Sequence, residues 1–257
     1  MLQTRVMPCL LLKDGALVKT VRFQEPSYIG DPINAIRIFN EKEVDELVFL
    51  DIAATNQGRR PPLDVLKRIA GESFMPVAYG GGLRRLEDIR EVLRVGFEKV
   101  SINSHAAESP SFVTEAAREF GNQSVIVSID AKKVGGDRYE VWTHGATRRT
   151  GLDPATFAAR MQEAGAGEIL LTSIDRDGTQ QGYAIDLIQQ VVARVSIPVI
   201  ACGGAGKVED FTAAVREGGA AACAIGSMAV YYGRNRAVLI SFPSRTEIEK
   251  ALGEERG

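Results

Sequence analysis

Glycine pairs and small polar residues recur in this 257-residue sequence in a pattern that suits anion binding. Gly81-Gly82 is matched by Gly203-Gly204, and Asn103-Ser104 by Gly226-Ser227. Where such residues end a strand and open a helix, backbone N–H groups can approach a phosphate closely, and hydroxyls add donors. A single glycine pair only makes a tight turn. Two related pairs predict two phosphate sites: Gly82 with Asn103 and Ser104, and Gly204 with Gly226 and Ser227. Asp177-Gly178, inside Asp175-Arg176-Asp177-Gly178-Thr179, and Asp130 occupy further positions of this kind. The ligand so implied is a phosphorylated small molecule. The run GGAGK is not a nucleotide-binding P-loop, because Ala201 and Val208 stand where its first glycine and its hydroxyl residue belong.

A second set is charged. Alternate strand residues share a face, so Arg5, Met7, Cys9 and Leu11 form one row, beside Glu46, Val48, Leu50, then Lys99, Ser101, Asn103, then Glu168, Leu170, Thr172. Arg5, Glu46, Lys99 and Glu168 thus stand at strand entrances, two cations and two anions. Parity alone leaves two alternatives, a mutually paired ring or solvated strand-end ion pairs.

The elements that must carry these residues alternate throughout. Eight short β-branched or apolar runs (6–12, 47–52, 76–79, 100–102, 125–129, 169–174, 197–201 and 222–225) are separated by longer amphipathic segments. Eight βα units in about 250 residues predict an α/β fold, a (β/α)8 TIM barrel, over residues 1–257 as a single domain. Glu46 and Glu168, Gly81-Gly82 and Gly203-Gly204, Glu87-Asp88 and Glu209-Asp210, and Arg94 and Arg216 recur at an offset of 122, as in 168 − 46. Two similar half-barrels explain this. An open doubly wound sheet predicts neither the paired glycines nor the absence of a GxGxxG turn after the first strand.

Composition narrows the partners. With 31 Lys+Arg against 33 Asp+Glu, there is no basic surplus for nucleic acid. No apolar run approaches the roughly 20 residues of a membrane span. Cys9, Cys202 and Cys223 lie in apolar runs, which fits reduced thiols in a cytoplasmic protein rather than disulfides. His105 and His144 are the only imidazoles, and no metal-ligand spacing is present. No metal and no cofactor is expected.

PCLLLKDG, DELVFLDI, GGG, KVSIN, IDAK, GAGEILLTSIDRDGT and ACGGAGK together resemble the cyclase subunit of imidazole glycerol phosphate synthase, HisF, over nearly the whole chain. The resemblance implies two phosphate sites at the top of the barrel, a HisH-like glutaminase at the bottom, and ammonia passing between them. It makes Arg5, Glu46, Lys99 and Glu168 the charged ammonia gate. It also implies lyase chemistry by two carboxylates that end the first and fifth strands. Asp130 matches the second. Leu11 stands where the first is expected, and a side chain with no titratable group cannot transfer a proton.

PCLLLKDGALVKTVRF, YIGDPINAIRIFNEKEVDEL and RAVLISFP resemble a HisF-like branch, the acetamidino sugar modification proteins of surface-polysaccharide loci. That resemblance implies a synthase subunit that passes ammonia from the glutaminase to a sugar amidotransferase, for lipopolysaccharide or O-antigen biosynthesis. The alternatives are the histidine-pathway cyclase itself, a noncatalytic scaffold activating the glutaminase, and a phosphosugar isomerase of the related HisA type. The last also needs the carboxylate missing at position 11.

Remaining features get plainer readings. Tyr139 to Thr143 alternates like a strand and predicts a hairpin after the fifth strand, a surface decoration with Trp142 as its apolar anchor. Lys19 matches a substrate-covering loop lysine of the family, or is solvated. His105 and His144 read as polar loop residues, Cys202 as packing near the mouth, and Ser244 with Glu247 as a capping box.

Overall fold

The computed structural model describes residues 4–233 and 235–253. Eight parallel strands close into a barrel: β1 (Arg5–Lys13), β2 (Leu47–Asp51), β3 (Val77–Gly80), β4 (Lys99–Ile102), β5 (Val125–Gly135), β6 (Glu168–Ser173), β7 (Val199–Cys202) and β8 (Ala222–Ile225). Each pairs with the next, and β8 returns to β1 with Arg5 opposite Ala222. This is the (β/α)8 fold, with helices between the strands.

Two apolar layers explain the closure. Strands buried on both faces need no polar alternation, and β3 and β8 are buried at every position. Met7, Cys9, Val48, Ala78, Ile126, Leu170, Ile200, Ala222 and Ala224 fill the barrel interior. Residues of opposite parity, such as Val6, Leu10, Phe49, Val127 and Leu171, pack outward against the helices. Small inward residues, Ala78, Ala222 and Ala224, share this interior with the bulkier Met7 and Leu170. Asp31 and Asp153 cap the following helices, Pro32–Glu41 and Pro154–Glu163, by accepting backbone N–H bonds. The expected capping box at Ser244 and Glu247 is present.

Two of the longer connections extend the barrel sheet. After β1, strands Ala16–Lys19 and Ser27–Gly30 form an antiparallel ribbon on the end of β1. β5 runs past Ile129 to Gly135 and turns back through Arg138–Thr143. Among the described residues, no helix is long and apolar enough to cross a membrane.

Candidate functional site

The C-terminal ends of the strands surround a cavity of about 630 Å³, lined by Leu11, Asp130, Gly82, Asn103, Ser104, Gly178, Gly204, Gly226 and Ser227, among others. Leu11 and Asp130 therefore face one mouth. Asp130 is half-buried at the floor of this cavity. Burial, and then the Asp177 carboxylate, push its acid up to about 7, against hydrogen bonds from Asn103 and Thr172. A carboxyl titrating there can give or take a proton near neutral pH. Asn103 Nδ2 orients it, donating to Asp130 Oδ2 and to the Ser128 carbonyl at 3.1 Å each. Leu11 offers no such group.

The ends of β4 and β8 have closely matched backbones. Asn103 (φ −113°, ψ −93°) and Gly226 (φ −110°, ψ −86°) each precede a short helix, Ser104–Glu108 and Ser227–Val230. Gly82 (φ +67°) and Gly204 (φ +117°) are held where a Cβ would collide with a carbonyl oxygen, that of Arg59 and that of Gly182 respectively.

Their side-chain surroundings differ. Ser104 Oγ accepts the His144 N–H at 2.9 Å and donates to Asn103 Oδ1 at 3.0 Å, so the hydroxyl is already engaged. The tip of the β5 hairpin thus docks on the first-half strand end, and Gly145, Ala146 and Thr147 line the cavity. This corrects the reading of the hairpin as surface decoration. His144 is buried rather than a plain loop residue. Its carbonyl accepts from Asn56 Nδ2 and Thr147 Oγ1.

Nor is Trp142 a simple apolar anchor. It is half-buried, with Lys132 Nζ 4.9 Å from its ring centre and the Arg149 guanidinium 5.9 Å away.

At the second-half site, Arg236 donates to Ser227 Oγ at 3.3 Å, bringing a cation to the strand end. Lys19 is buried beside Gly226 and pairs with Asp177 at 2.7 Å; Thr20 Oγ1 donates to the other Asp177 oxygen at 2.9 Å. Asp177 therefore enters this site as the counter-ion of Lys19, with both carboxylate oxygens engaged. Those bonds pin the β1 ribbon over the mouth, and the Arg22 N–H adds a bond to the Asp177 carbonyl at 2.8 Å.

The parity rows did not reach Arg236. Its signal was available in composition: from Gly219 through Thr246 the sequence has no Asp or Glu. Cys9 and Cys202 also meet below the mouth. The contact between their thiols, together with burial, raises Cys9; at Cys202 the same contact outweighs burial and lowers the thiol. Among the described residues no group of three or more His, Cys, Asp or Glu could hold a metal ion.

At the opposite end, Arg5 bridges Glu46 at 2.6 Å and Glu168 at 2.5 Å, and Lys99 bridges the same two carboxylates at 3.0 Å each. The four charges form a closed, neutral ring under the apolar interior. Burial alone would lower the Arg5 guanidinium, but the carboxylates of Glu168 and Glu46 outweigh it and hold it above its ordinary value. Glu46 is buried and Lys99 largely so, which makes each partner costly to remove.

The model of the family described as histidine biosynthesis protein matches residues 5–236. A Pseudomonas aeruginosa protein provisionally named imidazole glycerol phosphate synthase subunit hisF2 is 47% identical over 249 residues, 97% of this chain and 99% of its own. A Vibrio vulnificus protein provisionally named subunit hisF3 is 42% identical over 253 residues, 98% and 97% of the two chains. The imidazole glycerol phosphate synthase subunit HisF of Alkaliphilus metalliredigens is 45% identical over 231 residues, 90% and 92%.

Proposed function

The chain belongs to the histidine biosynthesis protein family, among its HisF-type synthase subunits, and from that premise we propose that it conducts ammonia without normal cyclase chemistry. In this reading a HisH-like glutaminase docks at the charged ring, and ammonia enters past Arg5, Glu46, Lys99 and Glu168. The interior above, lined by Met7, Val48, Ala78, Ile126 and Leu170, favours neutral ammonia over ammonium, because a charge there would lose its hydration. At the mouth the amine serves a sugar amidotransferase that converts an acetamido to an acetamidino group. Phosphate of a bound small molecule would sit first against Gly204, Gly226 and Ser227, helped by Arg236, with Gly82, Asn103 and Ser104 opposite.

The observation that carries the proposal is the pairing of an intact ring at one end with Leu11 facing Asp130 at the other. The ring supports delivery of ammonia, and Leu11 removes half of the proton-transfer pair that would consume it. The three free cysteines suit a reducing cytoplasm.

The test is reconstitution with a HisH-like glutaminase and a sugar amidotransferase, following amidinated product from glutamine and from free ammonium. Glutamine-dependent product that Lys99→Ala uncouples from glutamine hydrolysis supports the reading. Cyclase turnover by the unmodified chain at the level of an ordinary HisF overturns it. Asp130, titrating near 7, favours a second reading in which one proton transfer is retained. Loss of residual turnover in Asp130→Asn would mark that case.

A further inference from the structure

Glu108, close to the first-half strand end, stands among four basic side chains of the described residues. His144 Nε2 and Arg148 reach it from the hairpin at 3.4 and 3.8 Å, Arg84 from the connection after β3 at 3.9 Å, and His105 Nδ1 from its own helix at 3.5 Å. All four contacts are loose. In the ring at the other end, by comparison, Arg5 and Lys99 bridge their carboxylates at 2.5 to 3.0 Å. His105 Nδ1 is enclosed, yet it has no hydrogen-bond partner among the described residues. Burial, and then Arg148 and Arg84, hold the His144 imidazole below its ordinary value against the pull of Glu108, so near neutral pH it is uncharged. Two guanidiniums then outnumber one carboxylate. Arg84 and Arg148 are both exposed, so an anion from solution can reach them.

The same carboxylate helps to hold the hairpin tip. The tip is also anchored by the His144 N–H on Ser104 Oγ at 2.9 Å and by the His144 carbonyl, which accepts from Asn56 Nδ2 at 3.1 Å. His144 and Ala146 have φ of +55° and +64°, a left-handed conformation that is costly for residues with a Cβ. Tertiary bonds therefore hold the tip against its own backbone preference. They come from the wall where the first phosphate site is expected, and Asn56, Gly82, Arg84, Ser104 and His105 all line the cavity there.

We propose that Arg84, His105, Arg148 and the Ser104 hydroxyl form an anion site kept closed by the protein's own Glu108, and that the phosphate monoester of a bound molecule opens it by replacing that carboxylate. The inference rests on the phosphate-site reading above and is independent of ammonia conduction. A phosphate dianion brings more charge than a carboxylate and three strong acceptor oxygens, so it competes well for guanidiniums that Glu108 does not approach closely. It also takes the Ser104 hydroxyl as a donor. Once Ser104 turns to the phosphate and Glu108 gives up Arg148 and His144, the tip loses anchors that offset its left-handed backbone. The first half is thus closed when empty and opened by its ligand.

The test uses the full chain carrying Arg236→Ala, which weakens the second-half site, with inorganic phosphate at about pH 8 as the probe, where it is mostly dianionic. Calorimetry reads its affinity, and amide hydrogen exchange of residues 143–147 reads the tip. Phosphate should speed that exchange. Adding Glu108→Gln should tighten phosphate binding about tenfold, the worth of one charge-assisted contact, and a further Arg84→Ala should cancel the gain. Asn56→Ala loosens the tip without touching the cations, so it too should tighten binding, and it keeps the proposal testable should Glu108→Gln not fold. Thermal melts establish which variants are folded. Binding that is no tighter in the folded variants overturns the proposal, as does exchange that slows with phosphate, since the tip would then be part of the anion's cradle. If the chain with Arg236 intact binds phosphate at the second half only, in every variant, the Glu108 proposal falls and the second phosphate site stands. If no variant binds phosphate at either half, the phosphate-site reading itself fails.

Discussion

The two halves of the barrel mouth share a backbone plan and differ in chemistry. In the first half β1 brings Leu11 to the mouth, where it cannot move a proton, and Ser104 is occupied by the His144 N–H. In the second half β5 carries Asp130 with its acid near 7, and Ser227 meets Arg236. Asn103 and Gly226 nevertheless have nearly the same φ and ψ. Repetition preserves the positions that backbone sterics dictate. Side-chain partners, supplied by connections of different length, make one half closed and apolar and the other polar and receptive.

Substituting Leu11→Asp gives back to the first half what the second retains. Imidazole-forming turnover with free ammonium should rise about 100- to 10,000-fold, the usual contribution of one proton-transfer group. A rise of less than threefold would show that the halves differ for some other reason. Backbone equivalence predicts nearly equal penalties for Gly82→Ala and Gly204→Ala, about 3 kcal/mol each, since both combine positive φ with a carbonyl in the way of the Cβ. Chemical denaturation checks this, and a difference above about 2 kcal/mol would break the equivalence.

A third measurement concerns pH. The folded Asp130 acid lies near 7 against an ordinary 3.8, so the native state binds its proton more tightly than the unfolded chain. Below the ordinary value this costs nothing, between the two values the penalty grows, and above about 7 it is complete. Asp130→Asn should therefore be neutral near pH 4 and stabilise by about 1 to 3 kcal/mol at pH 8. Melts at the two pH values decide it; a stabilisation that shrinks as pH rises would refute the assigned direction. The smallest effect is in anion affinity. Arg236→Ala should weaken sulfate binding about tenfold at the second-half site by calorimetry, whereas Ser104→Ala should change sulfate affinity less than threefold. Equal losses would make the halves alike.

Much of this contrast was readable in the residues alone. The barrel, its strand ends and the glycine pairs follow from apolar runs and a fixed offset, because strand burial and positive φ are local demands. Arg5, Glu46, Lys99 and Glu168 could be grouped because strand parity propagates a face over several residues. The hairpin tip was not legible. His144 reaches Ser104 across 40 residues of sequence, through a backbone N–H that any residue type possesses, so composition carries no trace of it. The same holds for the Lys19 to Asp177 pair, which joins residues 158 apart. Arg236 fell between, with a basic stretch visible in sequence and its target visible only in space.

The charged ring also bears on how two half-barrels recognise each other. The first half contributes Arg5, Glu46 and Lys99, two cations and one anion, and the second contributes Glu168 alone. A first half paired with its own copy would confront surplus positive charge at the floor, and a second half with its own copy would bring two carboxylates together. Only unlike halves close the ring at zero net charge. The cluster is therefore a heterotypic lock, favouring the mixed assembly over either self-pairing through the cost of an uncompensated charge in a confined space.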